Sequence, residues 1–93
     1  MRKVIFMPIA MEHLKYWIAT KPKLALRLLG LIDEVVRSPF SGTGKPEPLK
    51  ENLKGYWSRR INEEHRLVYK VSDDEIVVMS AKGHYIKSTG KFY

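Results

Sequence analysis

One apolar stripe constrains the fold of this chain more than any other feature of its sequence. Between Pro22 and Arg37 apolar residues recur at helical spacing, which predicts an amphipathic helix with one broad face to bury. A shorter helix of the same kind is predicted just before it, over residues 9–19. The stripe of the longer helix consists of Leu24, Leu28, Leu31, Ile32 and Val35, and that of the shorter one of Met11, Leu14, Trp17 and Ile18.

Segments rich in β-branched and aromatic residues surround the helices and provide a sheet that can cover them. The predicted strands are residues 3–6, 56–61, 65–71 and 76–85, and residues 40–54 form a long loop. This order predicts an α+β domain with two N-terminal helices packed on a mostly antiparallel four- to five-stranded sheet. The 93 residues suffice for a single domain, with 86–93 as a polar and loose C-terminal extension.

Several residues receive structural interpretations at this stage. Thr20 is placed as the N-cap of the second helix, where its hydroxyl could accept a backbone N–H. Trp57 and Tyr69 are assigned to the core, His65 to a structural role, and His13 to the helix surface.

The charge balance indicates a polyanionic partner. Lys and Arg number 17 against 10 Asp and Glu, which gives a formal net charge of +7, and the isoelectric point is near 9.8. Nucleic acid is the simplest such partner, and an anionic membrane surface or an acidic protein is the alternative.

Other classes are disfavoured by what the chain lacks. It contains no cysteine, and its three histidines do not have the spacing of a metal site, so no metal or other cofactor is expected. Neither a signal peptide nor an apolar run of about 18 residues is recognisable, and a cytoplasmic location is expected.

The segment 42–69 concentrates the residues that could carry chemistry. Glu47 lies between Pro46 and Pro48, which restrict the backbone around it and favour an extended conformation. A carboxylate held in this way can act as a general base. The alternative is an ordinary solvated glutamate in a loop.

Cations surround this carboxylate in the sequence. Lys45, Lys50 and Lys54 lie on the loop, and Arg66 follows a predicted hairpin turn, where its guanidinium could bind a phosphate through two hydrogen bonds. Arg59 and Arg60 must point to opposite faces of their strand, so they cannot both serve one site. For any single arginine, a solvated face is the alternative.

A general acid is available at the end of the last predicted strand. His84 has the side chain whose ordinary pKa suits proton transfer near neutral pH, and Tyr85 beside it could hold a phosphate or stack on a base. Metal-free cleavage of RNA requires a base for the 2′-OH, cations for the phosphorane and an acid for the leaving 5′-oxygen. A strand-end histidine bonded to backbone is the alternative for His84.

The motifs in this half of the chain resemble those of the YoeB (Txe) toxins in the RelE superfamily of type II toxin–antitoxin ribonucleases. The similar strings are Ser38-Pro39-Phe40, Gly44-Lys45-Pro46-Glu47-Pro48-Leu49-Lys50, Trp57-Ser58-Arg59-Arg60-Ile61, Glu63-Glu64-His65-Arg66-Leu67-Val68-Tyr69 and His84-Tyr85. The resemblance implies a RelE-like fold and a metal-independent endoribonuclease that cleaves mRNA in the ribosomal A site. It also implies inhibition by a YefM-like antitoxin with an acidic C-terminal segment, and a homodimer is a further possibility.

The resemblance also implies roles for individual residues. Glu47 would be the general base, Arg66 would stabilise the phosphate, His84 would be the general acid, and Tyr85 would help to hold the substrate. Lys50, Arg60 and Glu64 also fall on family positions in or beside the active site. Together with the loop cations Lys45 and Lys54, they are the predicted RNA-binding residues.

Two other functions remain open from the sequence. One is a catalytically weak module that binds RNA or an antitoxin, because residues 86–93 extend beyond the usual end of the family. The other is a basic DNA-binding module, which is disfavoured because no helix carries a clustered face of Arg, Asn and Gln.

Overall fold

Two consecutive helices form one layer of the structure. The structure is a computed structural model that describes residues 2–50, 53–83, 85–86 and 91–92. Helix α1 spans Pro8–Thr20 and α2 spans Pro22–Arg37, so the predicted range of the longer helix is confirmed. Each begins with a proline, whose missing N–H has no helical acceptor at that position. Neither helix among the described residues is long and apolar enough to cross a bilayer.

A five-stranded mixed sheet forms the other layer. Its strands are β1 (Lys3–Phe6), β2 (Glu47–Pro48), β3 (Tyr56–Arg60), β4 (Arg66–Val71) and β5 (Glu75–Ser80). Their order is β1-β5-β4-β3-β2, and β1 pairs with β5 in parallel whereas the other pairs are antiparallel. The predicted α+β fold, with two helices on a mostly antiparallel sheet, is confirmed.

The main core lies between the helices and one face of this sheet. Leu28 of α2 is fully buried and packs in one cluster with Tyr69 of β4 and with Ile76 and Val78 of β5. Trp17 of α1 is buried in the same cluster, as predicted, and the half-buried Trp57 packs against it. The apolar stripe of α2 is therefore covered by the central strands.

The details of the first helix differ from the prediction. Thr20 is not an N-cap: it belongs to α1, and its hydroxyl donates to the carbonyl of Tyr16 at 2.7 Å. The N-cap of α2 is Lys21, which makes no side-chain capping bond. Met11 and Ile18 are exposed, because only Ala10, Leu14 and Trp17 of α1 face the sheet.

The strand boundaries also differ in two places. The predicted strand 76–85 ends at Ser80, because the chain turns at Gly83, whose φ of 74° is readily adopted only by glycine. The predicted loop 40–54 contains β2, which pairs with β3.

The C-terminal extension is described only in part. Two short strands, β6 (Tyr85–Ile86) and β7 (Lys91–Phe92), pair in an antiparallel manner. The rest of the segment that was expected to be loose lies outside the described residues.

Leu28 and Leu26 provide a direct test of the packing, because they lie on the same helix with opposite exposure. Leu28 is 0% exposed and Leu26 is 70% exposed. We predict that Leu28→Ala lowers the free energy of unfolding by about 2–5 kcal/mol, since it removes buried methyl groups and leaves a cavity. Leu26→Ala should change it by less than about 0.5 kcal/mol. Urea denaturation measures both, and equal losses would contradict the assigned helix face.

Candidate active site

The side chains of β3 point alternately towards the helices and away from them. Trp57 packs against the main core, and the buried Arg59 bonds Glu34 of α2, so both point towards the helices. Side chains alternate along a strand, and Ser58 and Arg60 therefore point the other way. We call this second face, with Glu47, Ser58, Arg60 and Arg66, the open face of the sheet.

Strand pairing brings the predicted base and two predicted cations together on the open face. Glu47 of β2 lies opposite Ser58 of β3, and Arg60 lies opposite Arg66 of β4. Directly paired residues share a face, with Cβ atoms about 4.5–5.5 Å apart. Glu47 and Arg60 are exposed and Arg66 is half-buried. One carboxylate and two guanidinium groups thus occupy neighbouring positions.

An apolar cluster fixes the end of the loop beside this group. Leu49 and Leu53 are buried against Val68 of β4, and Tyr56 and Met79 pack around them. The amide of Leu49 also donates to the carbonyl of Tyr56 at 2.9 Å, which continues the β2–β3 pairing. These contacts hold the backbone on the C-terminal side of Glu47.

Arg66 is oriented by the turn that precedes it. Its Nη1 donates to the carbonyls of Asn62 at 2.9 Å, Glu63 at 3.1 Å and His65 at 3.2 Å. All hydrogen bonds of this guanidinium within the described residues use Nη1. Nε and Nη2 therefore offer donors for a phosphate, in a side chain whose position is already set.

On the other face of the sheet, Arg59 fastens the loop that leads to Glu47. A solvated face was the alternative for any single arginine, but the structure buries Arg59 completely. Its guanidinium donates to Oε1 of Glu34 at 3.0 Å and to the hydroxyl of Tyr69 at 3.1 Å. It also donates to three loop carbonyls, those of Ser38, Ser41 and Thr43.

Tyr69 and Glu34 complete this network. Burial raises the pKa of the Tyr69 hydroxyl above its ordinary value of 10.0, so the group stays protonated and donates to the carbonyl of Pro39 at 2.8 Å. Hydrogen bonding from the backbone N–H of Thr43, at 2.6 Å, lowers the pKa of Glu34, and Arg59 acts in the same direction. A Cβ at Gly42 would collide with Oε1 of Glu34, and its φ of 117° also favours glycine.

Hydrogen bonds with two histidines and a tryptophan fix the segment 81–83, which follows β5 and precedes His84 in the chain. The backbone N–H of Ala81 donates to Nδ1 of His13 at 3.0 Å, and that of Gly83 to Nδ1 of His65 at 2.8 Å. Nε1 of Trp17 donates to the carbonyl of Ala81 at 2.8 Å. The structural role predicted for His65 agrees with this bond.

The assignment of His13 to the helix surface is wrong. Its ring is half-buried as the acceptor for Ala81, and burial lowers its pKa below the ordinary value of 6.5. The positive charge of Lys82 lowers this pKa further.

The remaining predicted site residues lie around the open face or outside the described part. Lys50 and Lys54 are exposed on either side of Leu53, and the exposed Glu64 lies in the β3–β4 turn, where its N–H donates to Oδ1 of Asn62. Lys45 is exposed and has a φ of 51°. His84 lies outside the described residues, and of Tyr85 the structure describes only the backbone, in β6.

Solved structures of similar fold define the class of protein. The YoeB/ParE toxin from Agrobacterium tumefaciens aligns with a TM-score of 0.86 at 39% identity, over 89% of this chain and 99% of that one. A YoeB dimer from Staphylococcus aureus aligns with a TM-score of 0.84 at 45% identity, over 90% and 98% of the two chains. A YoeB–YefM complex from the same organism gives a TM-score of 0.82 at 44% identity, over 91% and 99%. The fold is that of the RelE-like toxins.

Sequence comparison gives the particular family. The profile of the YoeB-like toxins of bacterial type II toxin–antitoxin systems matches residues 6–85. The toxin YoeB of Mycobacterium bovis is 54% identical over 85 residues, which cover 91% of this chain and 100% of that protein. This chain therefore belongs to the YoeB-like toxins of type II toxin–antitoxin systems, as the motifs indicated.

The lowered pKa of Glu34 predicts how the loop network depends on pH. A carboxyl group whose pKa is lower in the folded state stabilises the protein above its unfolded pKa, about 4.5, and this stabilisation is lost as pH falls through the folded pKa. We predict that Glu34→Gln unfolds at a lower urea concentration than the unchanged protein at pH 7. The difference should shrink as the pH falls below 4.5.

Asp33→Asn is the matched control for this experiment, because Asp33 is the exposed neighbour of Glu34 on the same helix. It should leave the urea midpoint at pH 7 close to that of the unchanged protein. A Glu34→Gln difference that stays constant from pH 7 to pH 3 would contradict the role of the ionised carboxylate.

Proposed function

We propose that this toxin is a metal-independent endoribonuclease that cleaves mRNA in the ribosomal A site. The observation that carries this proposal is the direct pairing of Arg60 with Arg66 beside Glu47 on the open face. Like charges directly opposite each other on paired strands destabilise a sheet. A bound phosphate would relieve this repulsion, and the neighbouring carboxylate could accept a proton from a nucleophile.

The candidate residues can be assigned to the steps of RNA cleavage. Glu47 takes the proton of the 2′-OH, and the 2′-oxygen forms a bond to the adjacent phosphorus. Arg66 stabilises the added negative charge through Nε and Nη2, and Arg60 opposite it supplies a second positive charge. His84 protonates the 5′-oxygen as its bond to phosphorus breaks, and Tyr85 helps to hold the substrate. The products are a 2′,3′-cyclic phosphate and a 5′-hydroxyl.

The fixed geometry of the site supports this assignment. The loop before Glu47 is fastened by Arg59, and the loop after it by Leu49, so the carboxylate is carried by a backbone held on both sides. Arg66 is likewise held by three carbonyls. Groups positioned before the substrate arrives contribute more to catalysis than mobile ones do.

The partners follow from charge and from similar proteins. The YoeB of the Staphylococcus aureus structure is in complex with YefM, and we propose a YefM-like antitoxin with an acidic segment for this toxin as well. The toxin has a net charge of +7, which would favour the binding of both rRNA and such an acidic segment. The YoeB dimer from the same organism suggests that this chain also forms a homodimer. A cytoplasmic location would give the toxin access to ribosomes.

A second candidate, a module that binds RNA or an antitoxin but cleaves weakly, is favoured by one observation. The family match ends at residue 85, whereas β6 continues to Ile86 and pairs with β7. This added pairing lies next to His84 in the chain. The two candidates differ in one result: only the nuclease, expressed without a partner, leaves new mRNA 5′ ends at ribosome-occupied codons.

Substitution of the base and the acid tests the proposal. We predict that Glu47→Ala and His84→Ala each slow mRNA cleavage in a translating extract by about 10²–10⁴-fold, the usual contribution of a general acid or base. Asp33→Asn is the control for loss of a carboxylate, and it should leave the cleavage rate unchanged because Asp33 is exposed on α2 and is not one of the predicted site residues. Cleavage at the wild-type rate by folded Glu47→Ala or His84→Ala would contradict the assignment of that residue as general base or general acid.

A further inference from the structure

Three cations from three different elements line one cleft at the edge of the open face. The cleft has a volume of about 370 Å³ and lies between α2, the loop before β2 and the β3–β4 turn. Its lining residues are Arg27, Gly44, Lys45, Arg60, Asn62 and Glu63. Only one of the six is acidic, so the cleft has an excess of positive charge.

The cations of this cleft are not engaged in ion pairs within the part of the chain that the structure describes. The ion pairs found there join Lys15 to Glu12 and Arg59 to Glu34. Arg27, Lys45 and Arg60 are all exposed. Cations brought together without carboxylate partners repel one another, and a bound anion would remove this cost.

The backbone that places Lys45 in the cleft is held in an unusual conformation. Lys45 is the one non-glycine residue with positive φ among the described residues, at 51°. Gly44 before it has a φ of 85°, and a Cβ there would lie 2.8 Å from the carbonyl of Arg60. The N–H of Arg60 donates to the carbonyl of Gly44 at 2.7 Å. Such conformations are costly outside glycine and are concentrated at ligand-binding sites.

We propose that this cleft is a second phosphate subsite, which binds a backbone phosphate of the RNA next to the one that is cleaved. Arg60 belongs to both sites, because it lines the cleft and lies opposite Arg66 on the open face. An RNA strand whose scissile phosphate lies at Arg66 would continue past Arg60 towards Arg27 on α2. The proposal rests on the proposed function in taking RNA as the ligand. It adds Arg27 as a binding residue that the sequence motifs did not indicate.

The test compares oligonucleotides that differ in the number of phosphates they can present. Fluorescence anisotropy measures the binding of the full chain to a 2′-O-methyl RNA dinucleotide and tetranucleotide, neither of which can be cleaved through a 2′-OH. For the tetranucleotide, Arg27→Gln should weaken binding about threefold to tenfold and reduce the slope of log K against log salt by about 0.7, the value for one phosphate contact on a single strand. For the dinucleotide, Arg27→Gln should leave binding unchanged.

Lys23→Gln is the matched control, since Lys23 is an exposed cation one helical turn before Arg27 and does not line the cleft. It should bind both probes like the unchanged chain. Unchanged tetranucleotide binding by Arg27→Gln, or equal losses for Arg27→Gln and Lys23→Gln, would overturn the subsite. The subsite would also be overturned if Arg27→Gln weakened binding only to an acidic polyglutamate peptide, measured in the same way. The cleft would then be a protein-binding site.

The two proposals can fail separately. If the unchanged chain cleaves mRNA but Arg27→Gln binds the tetranucleotide normally, the subsite is wrong and the nuclease proposal stands. If the unchanged chain does not cleave mRNA but tetranucleotide binding depends on Arg27, the cleft still binds an RNA phosphate and the nuclease proposal is wrong.

Discussion

The buried guanidinium of Arg59 is the interaction on which the candidate site depends. A fully buried cation is stable only if its charge is compensated and its N–H groups have acceptors, and here Glu34 and three loop carbonyls meet both needs. The same bonds fix the loop that leads to Glu47, which has no regular secondary structure before β2. An interaction in the interior thus sets the position of a carboxylate on the opposite face of the sheet.

This arrangement gives two adjacent arginines different tasks. Arg59 faces the helices and holds the loop, whereas Arg60 faces outwards, pairs with Arg66 and lines the cleft that reaches Arg27. Because side chains alternate along a strand, Arg59 can stabilise the fold while its neighbour Arg60 points outwards, where a ligand could bind. The sheet therefore supports the candidate site from behind, and the RNA of the proposed reaction would bind at its exposed edge and turn.

The sequence predicted the features that depend on periodicity and on motifs. It placed α2 correctly, put Arg59 and Arg60 on opposite faces, and identified the family. It did not predict that Arg59 is the buried one, because its acceptors lie on a distant helix and an irregular loop. His13 was misplaced for the same reason, since its partner is the N–H of Ala81, 68 residues away. Local sequence patterns do not reveal such long-range hydrogen bonds. An acid beside the apolar stripe of a helix, such as Glu34, does indicate that a buried cation could pair with it.

The central claim is that RNA is cleaved at the open face by attack of the RNA's own 2′-OH on the adjacent phosphate. The most direct measurement replaces the nucleotide at the cleavage site of a ribosome-bound mRNA by its 2′-deoxy form and analyses the fragment ends. The account predicts that the unmodified mRNA yields a 2′,3′-cyclic phosphate and a 5′-hydroxyl, and that the deoxy mRNA is not cut at that position. Cutting of the deoxy mRNA at the same rate, or fragments with a 5′-phosphate, would contradict it.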